Sequence, residues 1–154
     1  MEEEMKIKAP MPPGIKEKIQ QEFYSDAEYN EEIFVVQKKL IITNDASGCR
    51  FCIASELILN KFLSDEEEAF LQTYDSIGRR NQIDAKITDP GLKMGSIKLW
   101  KWLNKVDSPT DIKYYLGSGW NRIVTEYDLK EGELVRLWAV RLAKKTLCFV
   151  LVRL

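Results

Sequence analysis

The stretch Tyr114-Tyr115-Leu116-Gly117-Ser118-Gly119-Trp120-Asn121-Arg122-Ile123-Val124, continued by Leu129-Lys130-Glu131-Gly132-Glu133 and Leu134-Val135-Arg136-Leu137-Trp138, decides the fold. Residues 112–116 are aliphatic and aromatic and read as a strand. Gly117-Ser118-Gly119 is a hinge that delivers the chain onto Trp120, with Gly119 suited to a turn or a close backbone approach. Residues 121–127 are a short amphipathic helix. Gly132 marks a tight turn, after which residues 134–140 return to strand.

Outward from this segment the same alternation of short strands and turns continues. Residues 147–153 form a last strand, joined to 134–140 through the hairpin 143–146. Upstream, residues 79–88 and 96–103 read as strands on either side of the turn Asp89-Pro90-Gly91, and residues 104–111 are a polar loop containing Pro109. Residues 33–43 and 50–53 are the first two strands, separated by Asn44-Asp45-Ala46-Ser47-Gly48. Residues 54–62 are a candidate helix. Ser64-Asp65-Glu66-Glu67 is a capping box that opens another helix through Phe70, Leu71 and Tyr74, ending near Gly78. Ile15, Ile19 and Phe23 fall at helical spacing, so residues 15–29 are expected to form a helix that packs on the rest. Seven short strands with a few short helices give a mainly β fold, a barrel with helices at its ends.

A chain of 154 residues holds one domain of ordinary size, with 45% hydrophobic and 31% charged residues as in soluble globular proteins. Division at residue 34 is expected, with an acidic N-terminal arm over 1–34 and the barrel over 35–154. Met1-Glu2-Glu3-Glu4 lacks the apolar core of a secretory leader, and the apolar run 147–152 is too short to span a bilayer, so an intracellular, soluble protein with no membrane association is expected.

The chain has no histidine. This removes His-based acid–base chemistry, Ser–His and Cys–His nucleophile pairs and most zinc sites. Cys49 and Cys52 make a lone C-x-x-C; on a strand, residues three apart diverge, so structural thiols are expected rather than a metal or redox pair. Asp65-Glu66-Glu67-Glu68 sits at a helix start, where the dipole favours acid without catalysis. Gly117-Ser118-Gly119 lacks the Lys and spacing of a phosphate-binding loop. No enzyme activity, no cofactor and no metal are expected. Charge is uneven: the whole chain is net -1, whereas from Arg79 onward 15 basic residues face 8 acidic ones, net +7. Such separation suits a polyanion partner, or equally an ordinary solvated surface.

The order of parts resembles the plant-specific B3 DNA-binding domain, within the plant branch long catalogued as a domain of unknown function. The resemblance runs over about residues 36–152. It is carried by Gln37-Lys38-Lys39-Leu40 through Thr43-Asn44-Asp45, Arg50-Phe51-Cys52-Ile53, Asp89-Pro90, Trp100-Lys101-Trp102, Gly119-Trp120 and Leu129-x-x-Gly132. Phe62-Leu63-Ser64-Asp65-Glu66-Glu67 and Pro12-Pro13-Gly14-Ile15-Lys16-Glu17-Lys18-Ile19 carry the match to the plant branch. Ala54 stands where Pro is usual, and Glu133 where Asp is usual, a change that keeps the charge.

The resemblance implies a seven-stranded open pseudobarrel that sets two loop arms into the major groove of double-stranded DNA, a role in transcription, and location in the nucleus. Carried over residue by residue, the first arm is residues 44–50, with Asn44, Ser47 and Arg50. The second is 100–111 with its flanking strands, offering Lys98, Lys101, Asn104, Lys105, Ser108 and Lys113. Lys and Arg meet phosphates, while Asn, Arg and Ser read base edges. Arg122, near a helix N-terminus, is a further phosphate candidate. For the lysines, solvated surface charge is the alternative; for Arg50, it is a salt bridge to Asp45. Trp120 and Trp138 read as core. Trp100 and Trp102 share one strand face, read as core, with base stacking as the alternative. A protein-interaction or dimerisation module, working through residues 1–34 or the 64–78 helix, is the competing reading.

Overall fold

A computed structural model describes residues 11, 12, 14, 15, 17, 32–41, 51–103, 112–142 and 146–154. Its strands are β1 (Ile33–Lys39), β2 (Phe51–Ala54), β3 (Ile83–Thr88), β4 (Met94–Leu103), β5 (Ile112–Leu116), β6 (Leu134–Leu142) and β7 (Thr146–Arg153). Among the described residues the α-helices with defined bounds are α1 (Asp65–Leu71) and α2 (Trp120–Tyr127). The seven strands form one sheet in the order β1-β6-β7-β3-β4-β5-β2, antiparallel throughout except for β3 beside β7. The sheet curls into a nearly closed barrel, the expected pseudobarrel, with one seam between β1 and β2.

The seam is closed by the chain that follows β2. Leu59 N–H donates to the Val35 carbonyl at 2.8 Å and Asn60 Nδ2 to the Phe34 carbonyl at 3.0 Å. Lys38 Nζ crosses the same seam to the Cys52 carbonyl. This corrects the helix expected over 54–62: only one 3-10 turn forms, Ser55–Leu57. Beyond it the Leu59 N–H and the Asn60 side chain bond across the seam instead of within a helix, because an open sheet edge leaves donors and acceptors without partners.

The capping box forms as read: Glu67 N–H donates to Ser64 Oγ at 3.1 Å and Ser64 N–H to Glu67 Oε1 at 2.9 Å. The helix it opens is shorter than expected and stops at Leu71. Asp75 then accepts the N–H groups of Ile77 and Arg79 at 3.0 and 2.9 Å, an Asx turn that competes with the helix. Tyr74 and Arg80 are bridged, and β3 accordingly begins at Ile83 rather than at 79.

Strand alternation fills the barrel. Val35, Phe51, Ile53, Ile87, Leu99, Leu116, Leu137 and Phe149 belong to the main core, together with Trp120 and Ile123 from α2. Trp120 packs on Phe51 with ring centroids 4.9 Å apart. A second core lies on the other face of β6 and β7, where Trp138, Val140, Cys148 and Val150 meet Phe34 and Ile15. The strands β6 and β7 are therefore buried on both faces, which explains their nearly continuous apolar sequence. Ile15 and Glu17 are the described residues of the expected N-terminal helix, and Ile15 does pack on the barrel; residues 16 and 18–29 lie outside the described residues.

Gly119 is where the signature segment needs glycine. Its φ is 104°, and a Cβ there would stand 2.4 Å from the Ser96 carbonyl oxygen of β4. The absence of a side chain lets the N-terminus of α2 press against the sheet. The following turn is closed by Glu133, whose Oε2 accepts the Lys130 N–H at 2.7 Å while its carboxylate pairs with Arg153 at 2.9 Å. The longer acid thus holds the turn as well as tying it to β7.

Candidate nucleic-acid interface

The two arms spring from opposite ends of β5. The first loop leaves after β1 and returns at Phe51, which pairs with Leu116; the second joins Leu103 to Ile112, themselves partners in the ladder. Ile112 and Leu116 are four residues apart, roughly 13 Å along a strand. The arm tips, including Asn44, Ser47, Arg50, Asn104, Lys105 and Ser108, lie outside the described residues.

Between these roots the outer face of β4, β5 and β2 makes a floor. Parity assigns its members. Ile97 and Leu99 belong to the main core, so Ser96, Lys98, Trp100 and Trp102 point outward. On β5, Tyr114 and Leu116 are buried and Lys113 and Tyr115 lie on the outer side. Trp100 stacks on Tyr115 with centroids 4.5 Å apart and planes at 22°. Lys113 sits between Trp102 and Ala54 in register. Among these described outward residues there is no carboxylate; the acid that comes nearest in register is Asp84 of β3, which pairs with Lys98. The Lys98 side chain stays 46% exposed.

This arrangement corrects the reading of Trp100 and Trp102 as core. Trp102 is 44% exposed. The polar residues that share their parity, Ser96 and Lys98, were the sequence signal that they face outward.

Lys101 is corrected too. It takes the inward parity, is 3% exposed, and donates from Nζ to Glu68 Oε1 of α1 at 2.7 Å. Tyr114 Oη donates to the same carboxylate at 2.8 and 3.0 Å. Burial, with the hydrogen bond to Glu68 and its negative charge, pushes the Tyr114 phenol well above its ordinary value. A buried cation must be paired, and Lys101 is spent inside the barrel rather than offered to phosphate.

Arg122 belongs to another part of the molecule. It lies against Gly95 at the start of β4, eight residues from Leu103 and the second arm. Its Nη1 meets Glu126 Oε1 at 2.7 Å and Asp89 Oδ2 at 3.6 Å. Asp89 is fully buried; its Oδ1 accepts from the N–H groups of Gly91 and Lys93 and from Tyr127 Oη, all within 3.0 Å. Arg122 therefore braces the Asp89-Pro90 turn against α2, with two carboxylates engaging its guanidinium.

One cationic element of the floor was not foreseen from sequence. Arg80 lays its guanidinium 5.1 Å from the Trp102 ring centroid and 5.4 Å from that of Tyr74, and its Nη1 donates to the Lys101 carbonyl at 3.0 Å. Nothing local in Arg79-Arg80 announces this, because its partners are six and more than twenty positions away.

Comparison with known proteins gives a consistent family. The family model described as B3 domain-containing protein At2g31720-like matches residues 16–154. Among Arabidopsis thaliana proteins, B3 domain-containing protein At2g31420 is 26% identical over 120 residues, covering 76% of this chain and 56% of that protein. B3 domain-containing protein At2g24670 is 30% identical over 122 residues, covering 78% and 47%. B3 domain-containing protein At1g05930 is 28% identical over 125 residues, covering 79% and 36%. The chain thus spans about half the length, or less, of these curated relatives. None of their names is that of an enzyme. Among the described residues, no helix is long and apolar enough to cross a membrane.

Proposed function

The chain belongs to the At2g31720-like family of B3 domain-containing proteins, and from that premise we propose that it is a sequence-selective binder of double-stranded DNA that acts in transcription in the plant nucleus. Its two loop arms enter the major groove. Asn44, Ser47 and Arg50 work from the first arm and Asn104, Lys105 and Ser108 from the second, while Lys98 and Lys113 of the floor meet phosphates.

One observation carries this reading. The two arm roots stand at the two ends of β5, a spacing of roughly 13 Å that is close to the major-groove width of about 12 Å. A floor free of carboxylates among its described outward residues supports it. The test is selection from a random duplex library, followed by binding at low and moderate salt. Enrichment of one motif, with affinity falling steeply as salt rises, is the expected result. No retention of any duplex at low salt would overturn it.

A second reading, a protein-interaction module, rests on Phe70 and Ile77 at and beyond the end of α1, which are 45% and 65% exposed. It would gain from the same negative result.

A further inference from the structure

Trp102 is a large apolar side chain that folding leaves 44% exposed. It stands one residue before the second arm's root at Leu103 and opposite Lys113 in the ladder. It is also held: the Arg80 guanidinium lies within 5.4 Å of the centroids of both its ring and that of Tyr74 and is tied to the Lys101 carbonyl. A braced, exposed tryptophan in a polar surface has the features of an interface hot spot.

If the floor faces a duplex, as proposed above, the chemistry of the contact is narrow. Base faces are hidden in the stack, and phosphates and base edges are polar. The apolar group that a paired major groove presents is the C5-methyl of thymine. The geometry points to Trp102 as a specificity-determining residue that packs on one thymine methyl, with Arg80 as the positioning residue that fixes the indole. This rests on the duplex-binding reading and extends its readout from the arms to the floor.

The test uses the duplex selected by the parent protein. Each thymine is replaced in turn by deoxyuridine, which removes the methyl alone, and affinity is measured for the parent, Trp102→Ala and Trp102→Gln. At one thymine the parent loses about fourfold, the worth of one buried methyl-sized group. Both variants bind the thymine and deoxyuridine duplexes equally there, and their salt dependence matches the parent's, because an apolar contact releases no counterion. Circular dichroism melts confirm that the variants are folded. The assignment is overturned if no substitution distinguishes parent from variants, or if the variants lower the salt slope. Absence of any duplex binding by the parent would instead sink the DNA reading itself.

Discussion

Lys101 and Glu68 meet at 2.7 Å across 33 positions of sequence, the ammonium buried inside the barrel and the carboxylate reaching in from α1. The contact fastens the helix to the sheet beneath it, and Tyr114 completes it. Removing one partner of a buried pair strands the other, whereas removing both charges together is far milder. Glu68→Ala should lower stability by about 3 kcal/mol, and Glu68→Leu with Lys101→Met by much less than the sum of the two single changes. Urea melts of the two single variants and the double variant would check this; additive losses would show that the pair is not coupled.

Lys98 and Lys113 face outward on the floor, and their contribution to DNA binding is separable from folding. Replacing either by Gln should reduce the slope of log affinity against log salt by about 0.9 for each phosphate left without its lysine. Fluorescence anisotropy at several salt concentrations measures it. Because the Lys101 ammonium is turned inward, Lys101→Gln should leave that slope unchanged.

Glu67 gives the fold an acid-sensitive clasp. Burial alone would raise its carboxyl, but the bonds from Arg141 and from the Ser64 N–H outweigh it, so the folded value lies below the ordinary 4.5. The carboxylate therefore contributes stability that is fully present above pH 4.5 and is lost as pH falls through the lower folded value. Glu67→Gln should cost about 2 kcal/mol at neutral pH. It should also flatten the loss of stability on the acid side, visible in thermal melts run from roughly pH 3 to neutrality.

Gly119→Ala tests the close approach behind the signature turn. The φ of 104° and the 2.4 Å that would separate a new Cβ from the Ser96 carbonyl oxygen both oppose a side chain. A loss of about 3 kcal/mol is expected. An equal substitution at Gly91, whose blocked space holds a side chain, the Tyr127 hydroxyl at 2.3 Å and the ring carbons beside it, rather than backbone, and whose φ is not positive, should cost less. Equal losses at the two sites would argue against backbone crowding as the cause.

The element pattern was legible where local chemistry and tertiary demand agree. The strand over 112–116, the Ser64 capping box and the Gly119-Trp120 hinge all lie where turn residues and apolar runs put them. Expectation and fold part where a partner distant in sequence intervenes. Residues 54–62 have helical composition, yet the Leu59 N–H and the Asn60 side-chain amide are taken by β1 across the seam. The strand holding Trp100, Lys101 and Trp102 has apolar residues on both parities, so only the polar Ser96 and Lys98 upstream marked which side faced away from the core.

The family was carried by a resemblance of motifs; the number of strands, their succession along the chain and the glycine-hinged helix were legible locally. They depend on propensity, turn chemistry and periodicity, which act over a few residues. Which lysines are available to a partner emerged only once the barrel had closed, because availability depends on what lies opposite. Glu68 draws Lys101 inward, two carboxylates engage Arg122, and the ladder leaves Lys98, Lys113 and Trp102 on the floor between the arm roots.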